Sequence, residues 1–316
     1  MDLSIVIPLY NEAESLPELT AGIDRVCQSM QISFEIVMVD DGSTDGSWQV
    51  VNQLSATYPV IHGIKFRRNY GKSAALNVGF GATKGKVVIT MDADLQDSPD
   101  EIPELYEMVA VQRYDIVSGW KKKRLDNRLT KNIPSKLYNL AVRCVSKIKL
   151  HDMNCGLKAY RSEVVKSIEV YGEMHRYIPV IAKWAGFTNI TEKVVQHRKR
   201  QYGTTKFGME RFMNGFLDLI SISFVGRFGK KPMHFFGSIG TLMFIGGFLA
   251  AAWVGAQKLI LLYHGVLAPK VTDSPYFYIS LTAMLLGSQM FLAGFLGELI
   301  SRNSSERNHY LIEGEF

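Results

Sequence analysis

The sequence predicts an α/β domain on a mostly parallel, Rossmann-like sheet with helices on both faces, followed by a two-helix membrane hairpin. Three observations carry this expectation. Short β-branched runs alternate with segments of helical spacing over the first two thirds of the 316 residues, polar clusters follow those runs, and two long, nearly uncharged stretches occupy the last third.

The strands come first. SIVIP (Ser4–Pro8), FEIVMVD (Phe34–Asp40), VIHGIKF (Val60–Phe66), KVVITMD (Lys86–Asp92) and DIVSG (Asp115–Gly119) each read as a buried strand. In open α/β sheets ligands bind beyond the carboxyl ends of the strands. The clusters PLYNEAE, DDGSTDGS, RRNYGKS and DADLQD follow the first four runs, so four neighbouring strand ends deliver polar groups to one rim.

The apolar stretches come last. From Phe235 to Leu262 the only formal charge is Lys258, and from Tyr276 to Ile300 it is Glu298. Each exceeds the ~20 residues that cross a bilayer. Arg227, Lys230 and Lys231 precede the first and Arg302 and Arg307 follow the second, so the positive-inside rule places both flanks, and both termini, in the cytoplasm. Tyr276, Phe277 and Tyr278 stand where an outer aromatic belt is expected. The N-terminal MDLSIVIP has neither a basic n-region nor a long apolar h-region, and Cys27, Cys144 and Cys155 form no CxxC pattern, which fits a reducing compartment. The expected organisation is a catalytic domain over 1–208, amphipathic interfacial helices over 209–234, two transmembrane helices over 235–300 and a cytosolic tail over 301–316.

In VITMDADLQD, Asp92 and Asp94 are two residues apart. On a strand continuing straight they point the same way, and a hard divalent cation relieves their repulsion, with Gln96 adding a carbonyl oxygen. Mg²⁺ or Mn²⁺ shares such ligands with substrate phosphates. Asp97 reads equally as the cap of a helix beginning near Ser98–Pro99. Asp41 either accepts hydrogen bonds from a base or ribose or belongs, with Ser43 and Asp45, to a turn that starts a helix. Lys72 opens a helix where its ammonium and the backbone N–H groups would meet phosphate, without the spacing of a P-loop.

Between Lys121 and Lys149 a run of lysines and arginines is broken by a single acid, Asp126, and Leu137, Leu140, Ala141, Cys144, Val145 and Ile148 recur at helical spacing among them. Beside two spans this reads as a helix lying in an anionic membrane interface. Met209–Phe228 is a second candidate. The net charge of +6 is not accompanied by an aromatic–basic nucleic-acid motif, so no nucleic-acid partner is expected. A homo-oligomer is left open.

The four ordered motifs IVIPLYNE, VDDGSTDGS, RNYGKSAALNVGF and MDADLQD resemble the family-2 glycosyltransferases of GT-A fold, over Leu3 to about Lys206. GLKAYR, YGTTKFG and the terminal hairpin are similar to the polyprenyl-phosphate group within it, the dolichol-phosphate mannose synthases and bactoprenol glucosyltransferases. QHRKR lacks the Trp of the Q-x-x-R-W motif of processive synthases. The resemblance implies transfer of one sugar from a nucleotide diphosphate to a polyprenyl phosphate at the cytoplasmic face, with inversion. It implies that Pro8, Tyr10 and Glu12 line the nucleotide pocket, that Asp41, with Val39 and Asp40 beside it, recognises the base, and that Asp92, Asp94 and Gln96 hold metal and diphosphate against the Ala93 backbone. Arg200 and Lys206 match a basic loop that closes on the diphosphate, with Thr204 and Thr205 near the family's usual Ser, and Asp152 matches an acidic position near the sugar. Arg128 and Ser135, in the basic strip, are the candidates for the acceptor phosphate. Transfer to a polysaccharide or protein, or a non-catalytic scaffold on the same fold, are the alternatives.

Overall fold

The computed structural model describes residues 1–122, 148–196, 232–267, 269–303 and 312–315. They divide into two compact units, 1–222 with 307–316, and 223–306.

In the first unit the strands are β1 (Leu3–Leu9), β2 (Phe34–Asp40), β3 (Ile61–Phe66), β4 (Val87–Thr90), β5 (Ile116–Trp120), β6 (Lys158–Arg161), β7 (Ile190–Val194) and β8 (Ile312–Glu315), in the sheet order β7-β5-β6-β4-β1-β2-β3-β8. The pairs β1–β2, β1–β4, β2–β3 and β5–β7 are parallel, whereas β6 runs antiparallel to both β4 and β5. In the stretch expected to be a tail, β8 pairs antiparallel with β3.

The helices are α1 (Leu16–Ser29), α2 (Ser47–Thr57), α3 (Lys72–Ala82), α4 (Ile102–Ala110), α5 (Ser162–Ser167) and α6 (Ile178–Trp184). Successive strand residues point to opposite faces, so the sheet carries two cores. Ile5 and Ile7 of β1 and Ile36 and Met38 of β2 pack with Leu19, Val51 and Leu105 of α1, α2 and α4. Val6, Val37 and Val39 pack on the other face with Ala75 and Phe80 of α3, Val164 of α5 and Ile178 of α6. α3 lies tight against the sheet because its contact residues are small: a Cβ on Gly79 would stand 2.5 Å from Val6 Cγ1.

This order places β1 between β2 and β4. The chain winds outward through β2 and β3, then returns to the far side of β1 with β4. Strand order reverses there, and in open α/β sheets the ligand crevice opens at such a point. PLYNE and DADLQ sit on its two sides.

The second unit contains α7 (Pro232–Tyr263) and α8 (Pro275–Asn303), with mean hydropathies of 1.8 over Met233–Tyr263 and 1.7 over Pro275–Gly297. Only 11% and 17% of these segments is buried, so they are not core helices; Leu242, Phe248, Trp253, Leu285 and Leu292 point outward. The helices meet along glycines spaced seven apart. A Cβ on Gly240 would lie 2.5 Å from the Gly287 carbonyl, one on Gly247 2.6 Å from the Ser280 carbonyl, and one on Gly294 2.8 Å from Phe236 Cβ. Lipid offers no hydrophobic drive between helices, so close backbone approach supplies the association through dispersion contacts.

Candidate active site

The rim has two parts. On the β1–β2–β3 side, the register Leu9↔Asp40 sets the loops after β1 and β2 side by side, and they bind each other. Asn11, in the left-handed region at φ 56, donates its N–H to Ser43 Oγ (2.9 Å) and accepts from the N–H of Thr44 (2.9 Å) and Asp45 (3.4 Å). Glu12 N donates to Ser47 Oγ at 2.9 Å. Asp40, fully buried, accepts from Ser43 N at 2.9 Å through Oδ1, while Oδ2 has no hydrogen-bond partner among the described residues. Burial raises its pKa; the Ser43 bonds partly offset this. Asp41 accepts from Tyr70 N (2.7 Å) and Gly71 N (2.9 Å), so its carboxylate fixes the turn that starts α3.

On the β4–β6 side the chain does something different. β4 stops at Thr90, so Asp92 and Asp94 lie beyond the strand, where the chain turns and Leu95 adopts φ 59. This corrects the expectation of a strand continuing straight. The alternation survives nevertheless: Asp92, Asp94 and Gln96 are half-buried, whereas Ala93, Leu95 and Asp97 are buried. Lys72 Nζ, at the first residue of α3, contacts Asp92 Oδ1 at 2.5 Å. Burial opposes ionisation of Asp92, but Lys72, with Lys121 and Lys158 behind it, brings its pKa down to about 2. Gly156 lies against this carboxylate so closely that a Cβ there would be 2.3 Å from Asp92 Oδ2.

Asp97 is not the helix cap. Ser98 is, its Oγ accepting from Asp100 N ahead of a 3₁₀ turn over Pro99–Glu101 that leads into α4. Asp97 is instead wholly buried, with Lys121 Nζ 2.7 Å from its Oδ1. Lys121 therefore leaves the basic surface strip, because its side chain is only 11% exposed. Burial works against the Lys121 charge, but Asp97 holds the ammonium above its ordinary range. Buried ion pairs are often replaceable by apolar residues at no cost, or with a gain of about 1–4 kcal/mol. Stability alone is therefore a poor reason for this pair, and the Lys121 charge acts on Asp92 as well.

Pro8, Tyr10, Glu12, Asp92, Asp94 and Gln96 are all half-buried around the crevice, whereas Val39 and Ala93 are buried beneath it. Asp152, also buried, accepts from Asn154 N at 3.1 Å and shapes the loop that runs to Gly156. Glu101 pairs with Lys193 and accepts from Gln196 N at 3.0 Å, where the chain leaves toward Arg200 and Lys206. Arg200, Lys206, Arg128 and Ser135 lie outside the described residues, as do most of the two amphipathic segments. Sequence reasoning missed Lys158, His175 and Arg176, which gather behind Lys72; GLKAYR was read only as a family marker, and MHRY matches no motif.

No cluster of three His, Cys, Asp or Glu side chains suited to a metal occurs among the described residues. Two carboxylates and an amide oxygen, open on one side, are nevertheless a fitting set for Mg²⁺, which commonly takes one or two protein carboxylates and completes its shell with phosphate and water.

The family described as Glycosyl transferase family 2 matches residues 4–169. Two relatives match nearly the whole chain. A dodecaprenyl-phosphate galacturonate synthase of Rhizobium johnstonii is 34% identical, over 96% of this chain and 88% of its own. An undecaprenyl-phosphate 4-deoxy-4-formamido-L-arabinose transferase of Pseudomonas savastanoi pv. phaseolicola is 35% identical, over 98% and 90%. Among solved structures, a Mycobacterium tuberculosis glucosyl-3-phosphoglycerate synthase in complex with Mn²⁺, UDP and phosphoglyceric acid superimposes with a TM-score of 0.53 at 18% identity, over 72% of this chain and 78% of that one. That likeness establishes the fold.

Proposed function

The chain belongs to glycosyl transferase family 2, and from that membership we propose that it transfers one sugar from a nucleotide diphosphate donor to a polyprenyl phosphate at the cytoplasmic membrane face. The observation that carries the donor half is the half-buried Asp92/Asp94/Gln96 edge with Lys72 upon it, at the reversal of strand order. Two relatives named for polyprenyl-phosphate substrates carry the acceptor half, together with the hairpin that would keep the enzyme where such a lipid resides. Those relatives differ in the sugar they are named for, so membership alone does not specify it.

The proposed reaction is an in-line displacement. An acceptor phosphate oxygen forms the new bond to the anomeric carbon, the bond from that carbon to the diphosphate breaks, and the nucleotide diphosphate leaves with the electron pair. A phosphate acceptor is already ionised at neutral pH, so no strong general base is required. Asp92, Asp94 and Gln96 would hold Mg²⁺ or Mn²⁺, which offsets charge on the departing diphosphate. Lys72 brings a cation to the same point, Lys121 and Lys158 help keep Asp92 ionised, and Gly156 leaves the room its carboxylate occupies. Pro8, Tyr10, Glu12, Val39, Asp40 and Asp41 form the nucleotide side, Asp152 stands near the sugar, Arg200 and Lys206 assist on the diphosphate, and Arg128 and Ser135 receive the acceptor phosphate.

Topology bears on location. β3 precedes the hairpin and β8 follows it, and they pair in one sheet, which supports a hairpin that enters and leaves the membrane on one side. The basic flanks favour the cytoplasmic side. The test uses purified full-length protein in vesicles containing a long-chain prenyl phosphate, with Mn²⁺ and labelled UDP- and GDP-sugars. A lipid-linked monosaccharide is the expected product. Label in protein or polymer, or no transfer from any donor, overturns the reading.

A further inference from the structure

Behind the Lys72–Asp92 pair lies a cavity whose wall holds three cations and no carboxylate: Lys72, Lys158 and Arg176, joined by His175, Asn154 and Thr90. Lys72 spends its charge on Asp92. Arg176, 13% exposed at its side chain, meets Glu173 at 3.2 Å through one terminal nitrogen, out of five N–H donors. Lys158 is 3% exposed and donates to the Cys155 carbonyl, with no carboxylate at ion-pair distance among the described residues; burial lowers its pKa, against the weaker pull of Asp152 and Asp92, so its charge is held only at a cost. Buried charge without a matching counter-charge is costly unless a ligand supplies one.

The neighbourhood reports the same imbalance. His175 Nδ1 lies 3.0 Å from Ser73 Oγ, and the His175 N–H donates to that oxygen at 3.0 Å, so the segment is tied to α3. Burial, then the charges of Lys72, Arg176 and Lys158, hold the imidazole well below its ordinary pKa. It stays neutral at pH 7 and adds a polar contact rather than a fourth charge.

We propose that this cavity receives a carboxylate carried by the sugar of the donor, which makes it a subsite selecting nucleotide-linked uronic acids. The proposal rests on the donor reading above. Its position supports it, because the cavity adjoins the residues assigned to the diphosphate, and the sugar is the next group along the donor. A planar carboxylate matches the guanidinium fork of Arg176. The acceptor phosphate is a poorer occupant, since in-line attack brings it from the face opposite the leaving diphosphate.

The experiment measures displacement of labelled nucleotide from the full-length protein in detergent with Mn²⁺, by UDP-glucose against UDP-glucuronate, UDP-galactose against UDP-galacturonate, and GDP-mannose against GDP-mannuronate. One uronate is expected to bind about tenfold or more tighter than its neutral partner. Arg176→Gln should erase that preference while the free nucleotide diphosphate keeps its affinity within about twofold, and Arg176→Lys should retain part of it. Asn154→Asp, which adds a negative charge at an exposed position of the wall, should weaken the uronate alone. Equal affinities, a preference that survives Arg176→Gln, or a rise in the KM for prenyl phosphate with donor binding unchanged each overturns the proposal. Absence of any nucleotide binding sinks the donor reading as well, whereas equal affinities sink this inference only.

Discussion

The loops after β1 and β2 and those around β4 and β6 share one rim of one sheet, yet they use polar residues in opposite ways. In the first, Asn11, Ser43, Asp45 and Ser47 exchange hydrogen bonds among themselves and with the backbone, and Asp41 is absorbed by the turn into α3. In the second, Asp92 pairs with Lys72 at the edge of the crevice, and behind them Lys158 and Arg176 line a cavity whose wall holds no acid among the described residues. Polar density alone therefore does not mark chemistry. Asp40 Oδ2 apart, the loop groups of the first part are satisfied by one another, which rigidifies the nucleotide side; the second part holds charge available to a ligand.

The comparison breaks most sharply at Gly156. Gly156→Ala would drive a methyl group to 2.3 Å from Asp92 Oδ2, so the carboxylate must move. Misplacing a reacting group by about 1 Å costs on the order of 10²-fold. Transfer rate is expected to fall by about that factor, with the circular-dichroism spectrum and membrane insertion unchanged. Wild-type turnover in this variant would mean that the position of Asp92 does not matter.

A smaller effect sharpens the other side. Asn11→Ala removes the acceptor for Thr44 N and Asp45 N and leaves a residue with less tolerance of φ 56. Unfolding free energy should drop by about 2 kcal/mol, from one or two hydrogen bonds plus the left-handed backbone. Turnover at saturating donor should hardly change, as read by denaturant melts beside initial rates. A large loss of turnover with intact stability would move Asn11 from scaffold to site.

Much of this was legible in advance, for physical reasons. Parallel buried strands are continuous β-branched runs, so β1 to β5 and the adjacency of four strand ends could be read directly, as could two apolar stretches too long for a small core. β6 (KAYR), β7 (ITEKV) and β8 (IEGE) are short and carry charges, so no run announces them. MDADLQD revealed its alternating Asp92, Asp94 and Gln96, although they lie beyond the end of the strand rather than on it. Lys121 misled because composition groups it with its basic neighbours, while its partner Asp97 is distant in sequence and meets it only once β4 and β5 are in place. Lys158, His175 and Arg176 belong to segments that only the fold brings together.

The most direct test of the contrast between the two parts is the Mn²⁺ dependence of nucleotide-diphosphate affinity, measured by calorimetry on the full-length wild type, Asp94→Asn and Asn11→Ala. Wild type and Asn11→Ala should both bind the nucleotide more tightly as Mn²⁺ is added, whereas Asp94→Asn should bind it weakly and without regard to the metal. Metal-dependent binding that persists in Asp94→Asn, or that disappears in Asn11→Ala as well, would contradict the division of the rim into a scaffold and a reactive part.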